Sequence, residues 1–172
     1  MKHSSWFRLN KLKAQVSDFP SYDHYTGINN NPHIQFNIKD FPGTKELKEQ
    51  NPADVATLKN CGSLIYVIDA HEQDKDMACN KLFEIIKVAH KVNPKIAFEV
   101  FIHKVDSDMF MQDEQKFDAL NEISQNMRGL LSEFGVNNNG QSQEVQIAYY
   151  LTSIYDHTIY QALSRVIQKL LP

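Results

Sequence analysis

The chain has 172 residues, enough for one domain whose core needs no disulfide or metal to be stable. With 18 basic and 21 acidic side chains, its formal charge of −3 gives no reason to expect nucleic acid or an anionic membrane surface as a direct partner. The two cysteines, Cys61 and Cys79, lack a metal-binding spacing and are interpreted as buried, reduced thiols of a cytosolic protein. All apolar runs are far shorter than the ~18 residues of a membrane span, so membrane association would require a partner.

The first predicted elements are a strand and a short helix. Residues 34–40 alternate apolar and polar side chains, which predicts a strand with one buried face. Proline and glycine within residues 41–43 then predict a loop. Asn51, followed by proline, is typical of a helix start, and Gly62 predicts the end of this helix.

Strands and helices continue to alternate along the rest of the chain. Strongly apolar runs predict strands at residues 63–69, 97–103 and 147–152, and polar residues 136–146 predict a loop. A helix with one apolar face is predicted after each strand. The apolar positions of these helices are Cys79, Leu82, Ile85, Ile86, Ala89, Phe117, Leu120, Ile123, Met127, Leu130, Leu131, Phe134, Ile159, Leu163, Val166, Ile167 and Leu170.

This alternation predicts an α/β fold with a mainly parallel sheet and helices on both faces. In such sheets ligands bind outside the carboxyl ends of the strands.

The first motif at such an end pairs Asp40 with Gly43. An aspartate there is suited to Mg²⁺, and a glycine three residues later lets its N–H approach a γ-phosphate. Alone, the pattern is weakly specific, and an ordinary turn is the alternative.

The second motif is His103-Lys104-Val105-Asp106, which closes a predicted strand. It resembles the Asn-Lys-x-Asp motif with which GTPases read guanine. There the aspartate accepts hydrogen bonds from N1–H and the exocyclic amine, and the lysine stem lies against the base. Histidine replaces asparagine here, but an imidazole still offers one hydrogen bond to tie the loop. The alternative is a charged loop after a strand.

The third motif is Thr152-Ser153-Ile154, after the last predicted strand and at the expected start of the final helix. In GTPases a backbone amide at this place contacts the guanine O6. Capping of the helix is the alternative, because threonine and serine are preferred there. The three motifs together have the order and spacing of a G domain, which makes the combination more specific than its parts.

Four segments narrow the resemblance: FNIKDFPG, GSLIYVIDA, KVNPKIAFEVFIHKVD and YYLTSIYDHTIYQALSRVIQKLLP. They resemble the Rag GTPases, in particular their C/D branch, chiefly through the His-Lys-Val-Asp motif and the run from Leu151 to His157. The resemblance covers residues 34–172, predicted to be a partial G domain, whereas residues 1–33 match poorly.

The resemblance implies a P-loop NTPase-type G domain that binds GTP or GDP with Mg²⁺. It also implies a cytoplasmic protein that forms a heterodimer with an A/B-type Rag GTPase. Through partners, including a lysosomal scaffold, it would reach the lysosome or vacuole surface and act in amino-acid signalling to the TOR kinase complex. The implied site residues are Asp40 for the metal and Gly43, His103, Lys104, Asp106, Ser153 and Ile154 for the nucleotide.

The sequence departs from this family in three places. The phosphate-binding loop Gly-x-x-x-x-Gly-Lys-Ser/Thr is absent, because none of the six glycines precedes a Lys-Ser or Lys-Thr pair. Thr44 stands where GTPases often have a glutamine, and threonine is too short to orient the attacking water in the same way. Rag proteins also carry a C-terminal dimerisation domain, whereas this chain stops at Pro172. GTP hydrolysis therefore stays open, and no catalytic residue is assigned.

The missing loop also concerns the sheet. In a G domain, the strand before that loop lies between the strands predicted at residues 34–40 and 63–69. Residues 1–33 include WFRLNKLKAQ, which has little β character, so we do not expect them to replace it. We expect a gap or direct pairing of the two strands, and hypothesise a truncated gene product or incomplete gene model. Sequencing the transcript tests this hypothesis.

Two functional interpretations stay open. One is a Rag-like GTP-binding signalling protein whose active form is longer. The other is a pseudo-GTPase that serves as a protein-interaction module and binds no nucleotide tightly, which suits a chain without the phosphate half of the site. A flavodoxin-like α/β domain has only the fold pattern in its favour.

Several other polar residues are not assigned to a site. Asp69 is interpreted as a turn and cap residue, and residues 71–76 as a solvated loop before a helix. No role is assigned to His24, His33 and His157.

Overall fold

The computed structural model describes residues 5–12, 35–43, 45–106, 112–134 and 145–171. Most of the predicted loop at 136–146, and Thr44, lie outside these residues. Five strands and four helices occur in the described part. In chain order they are β1 (Ser5–Leu12), β2 (Gln35–Phe41), α1 (Pro52–Lys59), β3 (Ser63–Asp69), α2 (Lys75–Val92), β4 (Ala97–His103), α3 (Asp113–Phe134), β5 (Ile147–Thr152) and α4 (Thr158–Leu170).

The strands form one sheet in the order β2-β1-β3-β4-β5. Strands β3, β4 and β5 are mutually parallel, with Asp69 opposite His103 and His103 opposite Thr152. Strand β1 is antiparallel to both β2 and β3, so β2 runs in the same direction as β3. Four of the five described strands therefore point the same way, which confirms the predicted mainly parallel sheet.

The prediction for the N-terminal segment was wrong. We expected a gap or direct pairing between β2 and β3, but β1 fills that position and pairs on both sides, with Trp6 opposite Phe41 and opposite Tyr66. The facing backbone edges of β2 and β3 would otherwise present unpaired N–H and C=O groups, which are costly when buried. A segment of low intrinsic β-propensity can satisfy them, because strand propensity depends strongly on context.

Helices cover both faces of the sheet, as predicted. On one face, α2 and α3 pack against the buried side chains of β3 and β4 that include Leu64, Ile68, Val100 and Ile102. On the other face, α4 packs through Ala162 and Val166 against Ile65 and Phe101, among others. The alternation of buried positions along β3 and β4 thus separates two hydrophobic layers.

The prediction was wrong for one apolar position of α3. Phe117 is 57% exposed, although it was assigned to the apolar face. The buried stripe of this helix consists of Ala119, Ile123 and Met127, which are four residues apart. At about 100° per residue, a position two before Ala119 lies on the opposite side of the helix. Phe134 makes edge-on ring contacts with Phe83 and His90, and the remaining predicted helical positions are buried in or packed against the two clusters.

Side-chain caps mark the starts of the first two helices. Asn51 caps α1, since its side-chain oxygen accepts a hydrogen bond from the Ala53 N–H at 3.0 Å. Asp74 caps α2 in the same way, accepting from the Met77 N–H at 2.9 Å. Both cysteines are buried thiols, as predicted. Burial, with the nearby charges of Asp76 and Glu122, raises the pKa of Cys79 to about 11.

Candidate functional site

The candidate site lies along the edge of the sheet where four parallel-running strands end. Asp40, Asp69, His103 and Thr152 stand at the carboxyl ends of β2, β3, β4 and β5. Two strands, β1 and β3, separate β2 from β4. At roughly 4.8 Å per strand, the Asp40 end is about 14 Å from the β4 end along the sheet. The site therefore has two separate parts, one at β3 to β5 and one at β2.

His103 ties the end of β4 to the end of β5. Its Nδ1 lies 3.0 Å from the Oγ1 of Thr152, which is fully buried. When the threonine hydroxyl donates to the Ile102 carbonyl at 3.4 Å, its oxygen can accept from His103 in the tautomer that carries the proton on Nδ1. The Val105 N–H reaches the Thr152 carbonyl at 3.5 Å. The imidazole thus provides the loop-tying hydrogen bond that we predicted for it.

Lys104 starts the loop after β4 in an unusual backbone conformation. Its φ of 67° lies in the left-handed region, which costs a residue with a Cβ about 1–2 kcal/mol. Val105 next to it is buried at 4% exposure, whereas Lys104 and Asp106 are exposed on either side. Burial of the central valine anchors the loop and directs the two charged side chains outward. Strained backbone of this kind is concentrated at functional sites.

Asp69 contributes more to this site than the turn-and-cap role that sequence reasoning gave it. Its Oδ2 forms an ion pair with Lys104 Nζ at 2.6 Å. Its Oδ1 lies 3.0 Å from both the backbone N and the Nδ1 of His71. Burial by itself would raise the pKa of Asp69, but the hydrogen bonds from Lys104 and His71 outweigh it and lower that pKa. The strand pattern held a usable signal, because adjacent parallel strands place Asp69 beside the guanine-type motif.

The loop after β5 differs from the prediction. Helix α4 begins at Thr158, so Thr152 and Ser153 do not open it, and the capping alternative for these two residues is wrong. Ser153 is buried, its N–H donates to Thr158 Oγ1 at 2.9 Å, and its Oγ accepts from the Tyr155 N–H at 2.9 Å. Because the Ser153 N–H is engaged, the N–H of the exposed Ile154 is the backbone donor better placed to meet a ligand.

At the β2 end, a separate set of contacts holds the segment that follows Gly43. Lys45 forms an ion pair with Asp54 at 2.6 Å, and the other oxygen of this buried carboxylate accepts from the Lys48 N–H at 3.2 Å. The Lys45 ammonium also lies 5.5 Å from the centre of the Phe41 ring. These contacts fix the segment against α1. Asp40 remains exposed beside it.

The donor sets of the two parts fit different pieces of a nucleotide. The β4 and β5 loops offer the Asp106 carboxylate, the Lys104 stem and the Ile154 N–H, which suit a guanine base. At β2, Asp40 is the candidate metal ligand, and the described residues contain no cluster of three or more His, Cys, Asp or Glu side chains able to hold a metal. Mg²⁺ bound there would depend on phosphate oxygens and water for its other ligands.

The direction of β1 removes the usual source of a phosphate cradle. A P-loop follows the carboxyl end of a strand and opens a helix at the site edge. Because β1 is antiparallel to β3, its carboxyl end at Leu12 lies at the opposite edge of the sheet. The residues of β1 nearest the site are those at its start, around Ser5. Together with the absent glycine-rich motif, this leaves the described residues without a triphosphate cradle.

Comparison with known proteins decides the family. Residues 20–172 match the family model described as the Gtr1/RagA G protein conserved region. The chain belongs to this family of G proteins. It is 38% identical over 145 residues to Ras-related GTP-binding protein C of Homo sapiens, covering 84% of this chain and 34% of that protein. It is 36% identical over 164 residues to GTP-binding protein GTR2 of Saccharomyces cerevisiae, covering 95% of this chain and 44% of that protein.

These relatives confirm the predicted Rag family and its C/D branch, and the G-domain type of fold agrees with the observed sheet and helices. The chain spans about a third to somewhat under a half of the length of the relatives that it matches. No helix among the described residues is long and apolar enough to cross a membrane. The roles of individual residues in nucleotide binding stay predictions, as does the division at residue 34.

Proposed function

We propose that this Rag-family protein works as a guanine-nucleotide-dependent signalling component. It would form a heterodimer with an A/B-type Rag GTPase and, through partners at the lysosome or vacuole surface, act in amino-acid signalling to the TOR kinase complex. GTP and GDP, with Mg²⁺, are the proposed ligands. The observation that carries the nucleotide part is the His103–Asp106 loop, which is tied to both neighbouring strands.

Guanine recognition follows from the chemistry of that loop. Asp106 is exposed and offers two carboxylate oxygens, which would accept from the N1–H and the exocyclic amine of guanine. Adenine has no donor at N1, so it would leave this charged acceptor unsatisfied. The Ile154 N–H would donate to the guanine O6, and the Lys104 stem would lie against the ring. Each group belongs to this chain, and together they read only the base.

A second function is favoured for the chain as it stands. Because β1 directs its carboxyl end away from the site, the described residues offer no backbone cradle for a triphosphate, and Asp40 stands exposed at the end of β2. Most of the affinity of a complete G domain for GTP comes through phosphates and Mg²⁺. This chain would therefore act as a pseudo-GTPase, a protein-interaction module that binds nucleotide weakly and through the base.

The experiment that tests base reading is a titration of the purified 172-residue chain with GTP and with ATP, followed by ¹H–¹⁵N NMR. We expect GTP to shift backbone resonances of residues 103–106 and 153–154 at millimolar concentration, and ATP to leave them unchanged. Equal shifts by both nucleotides, or none by GTP, would contradict guanine recognition. Mg²⁺-dependent GTP binding in the nanomolar range would instead contradict the pseudo-GTPase interpretation.

The partner proposal is tested separately with a purified A/B-type Rag protein. Analytical ultracentrifugation of the two proteins together should show a heterodimer. If this protein sediments as an unassociated monomer at micromolar concentration, the heterodimer proposal is wrong. Base reading by the G domain would not be affected by that result.

A further inference from the structure

Asp69 joins two strands at the candidate site, although it belongs to none of the three motifs. It ends β3, and the parallel register places it opposite His103, the residue before Lys104. Its Oδ2 lies 2.6 Å from the Lys104 ammonium, and the Asp69 side chain is only 17% exposed. An acidic side chain of one strand thus holds the lysine of the next strand across the edge of the site.

The Asp69 carboxylate is itself fixed before it meets the lysine. Its Oδ1 accepts the His71 N–H at 3.0 Å, which is the hydrogen bond of an Asx turn. The His71 ring nitrogen Nδ1 lies at the same distance from that oxygen. The Ala70 N–H also donates to the His103 carbonyl at 2.8 Å, which continues the ladder past the strand ends. One carboxylate oxygen therefore secures the turn, and the other is left for Lys104.

This arrangement has a consequence for ligand binding. A lysine side chain loses much rotamer freedom when it is fixed, and a ligand that fixes it is bound more weakly by that amount. With its ammonium held at the end of β3, the Lys104 stem spans from β4 toward β3. The methylenes of such a stem form an apolar surface against which a base ring can lie. The left-handed backbone of Lys104 shows that the fold keeps this residue in place despite the strain.

We propose that Asp69 is a positioning residue for guanine recognition, which holds Lys104 in its base-contacting conformation before the ligand arrives. The inference rests on the proposed guanine binding and adds a residue outside the guanine motif. If the ion pair instead kept Lys104 away from the base, it would weaken guanine binding. The two consequences predict opposite changes in affinity when the charge of Asp69 is removed.

The test uses the full chain with the variant Asp69→Asn, because asparagine keeps an oxygen for the His71 turn and loses the charge. Guanosine monophosphate is the probe, adenosine monophosphate its control, and ¹H–¹⁵N NMR titration gives the affinity. We expect Asp69→Asn to bind the guanine probe roughly fivefold more weakly and Asp69→Glu to recover part of the loss. The matched control Glu84→Gln removes one charge from the Glu84–Lys87 pair on α2 and should leave the affinity unchanged.

A double-mutant cycle separates positioning from a general effect on the loop. Lys104→Met keeps an unbranched apolar stem and removes the ammonium. In this background Asp69→Asn should have no further effect on binding of the guanine probe. A melting temperature within about 2 °C of wild type is expected for Asp69→Asn, since an ion pair whose lysine is half-exposed contributes little to stability.

Each outcome of these measurements decides one point. Unchanged or tighter binding by Asp69→Asn would overturn the inference alone, because guanine would still be read. A fivefold loss that persists in the Lys104→Met background would also overturn it, since the effect would then not pass through the lysine. If wild type shows no preference for the guanine probe over the adenine probe, the proposed base reading fails, and the inference with it.

Discussion

The family motifs lie at two places along the sheet, and the strands around these two places are arranged differently. At β3 to β5, three parallel strands end in loops that are joined by short contacts between His103 and Thr152 and between Asp69 and Lys104. At β2, the neighbouring strand β1 is antiparallel, so its carboxyl end lies at the opposite edge of the sheet. We propose from this difference that base reading and phosphate binding are separable parts of the candidate site. Each depends on its own strands.

The comparison also concerns stability. Strand β4 has a neighbour on both sides and a helix layer on each face, whereas β2 is the edge of the sheet and its Ile38 is only half-buried. The part that carries the guanine-type motif is therefore set in the best-packed region of the molecule. Four predictions test how far this difference extends, from the largest expected effect to the smallest.

The largest effect is expected from Ile102→Ala. Ile102 is fully buried in the centre of the sheet, so its truncation should lower the free energy of unfolding by about 2–5 kcal/mol. The matched truncation Ile38→Ala on the edge strand should cost about 1 kcal/mol, because its side chain is only half-buried. Urea denaturation measures both. Equal costs at the two sites would break the contrast between the centre and the edge of the sheet.

The next largest effect concerns Asp106→Asn, which replaces a charged acceptor with an amide that has one acceptor and two donors. Hydrogen bonds to charged groups contribute about 1.5–3 kcal/mol, so guanosine monophosphate should bind at least tenfold more weakly. Asp40→Asn, at the other part of the site, should leave binding of this probe unchanged within about twofold. An effect of Asp40→Asn as large as that of Asp106→Asn would show that the two parts act together.

A smaller effect on stability is expected from Thr152→Val, which keeps the shape of the side chain and removes its hydroxyl. The His103 Nδ1–H then loses its acceptor, at a cost of about 1 kcal/mol or a few degrees in melting temperature. Thr152→Ser keeps the hydroxyl and should show less than half of that loss. If valine and serine behave alike, the hydrogen bond to His103 does not hold the β4 and β5 loops together.

The smallest effect is a pH dependence. The pKa of Asp69 is lowered in the folded chain, so its contribution to stability is present above the unfolded-state pKa of roughly 4 and is lost as the pH falls below it. Unfolding monitored from pH 5 downward should therefore show a flatter pH dependence for Asp69→Asn than for wild type. A steeper dependence in the variant would mean that the folded-state pKa of Asp69 is raised instead.

Most of the parallel part of the fold could be predicted from the sequence. The bounds of β3, β4 and β5 match the apolar runs, since buried parallel strands leave a continuous apolar signal. Strand β1 could not be predicted, because its pairing satisfies the backbone edges of β2 and β3 rather than its own side-chain pattern. The exposure of Phe117 was not predicted, because the apolar residues of α3 were grouped without determining which side of the helix each of them occupies.

The candidate site was predictable where local sequence carries the chemistry. His103, Lys104 and Asp106 are adjacent in the chain and were found from their order alone. Asp69 was placed at the end of a strand and given only a turn-and-cap role, because its contact with Lys104 spans 35 residues and depends on the register of two strands.

We propose one central claim: this chain reads the base of a guanine nucleotide but not its phosphates. Its most direct test compares the affinities of the 172-residue chain for guanosine monophosphate, GDP and GTP, with Mg²⁺ and with a chelator, under one NMR titration protocol. We predict that the three affinities agree within about threefold, less than 1 kcal/mol, and that the chelator leaves them unchanged. A hundredfold increase in affinity from the monophosphate to GTP that disappears when Mg²⁺ is removed would contradict the claim.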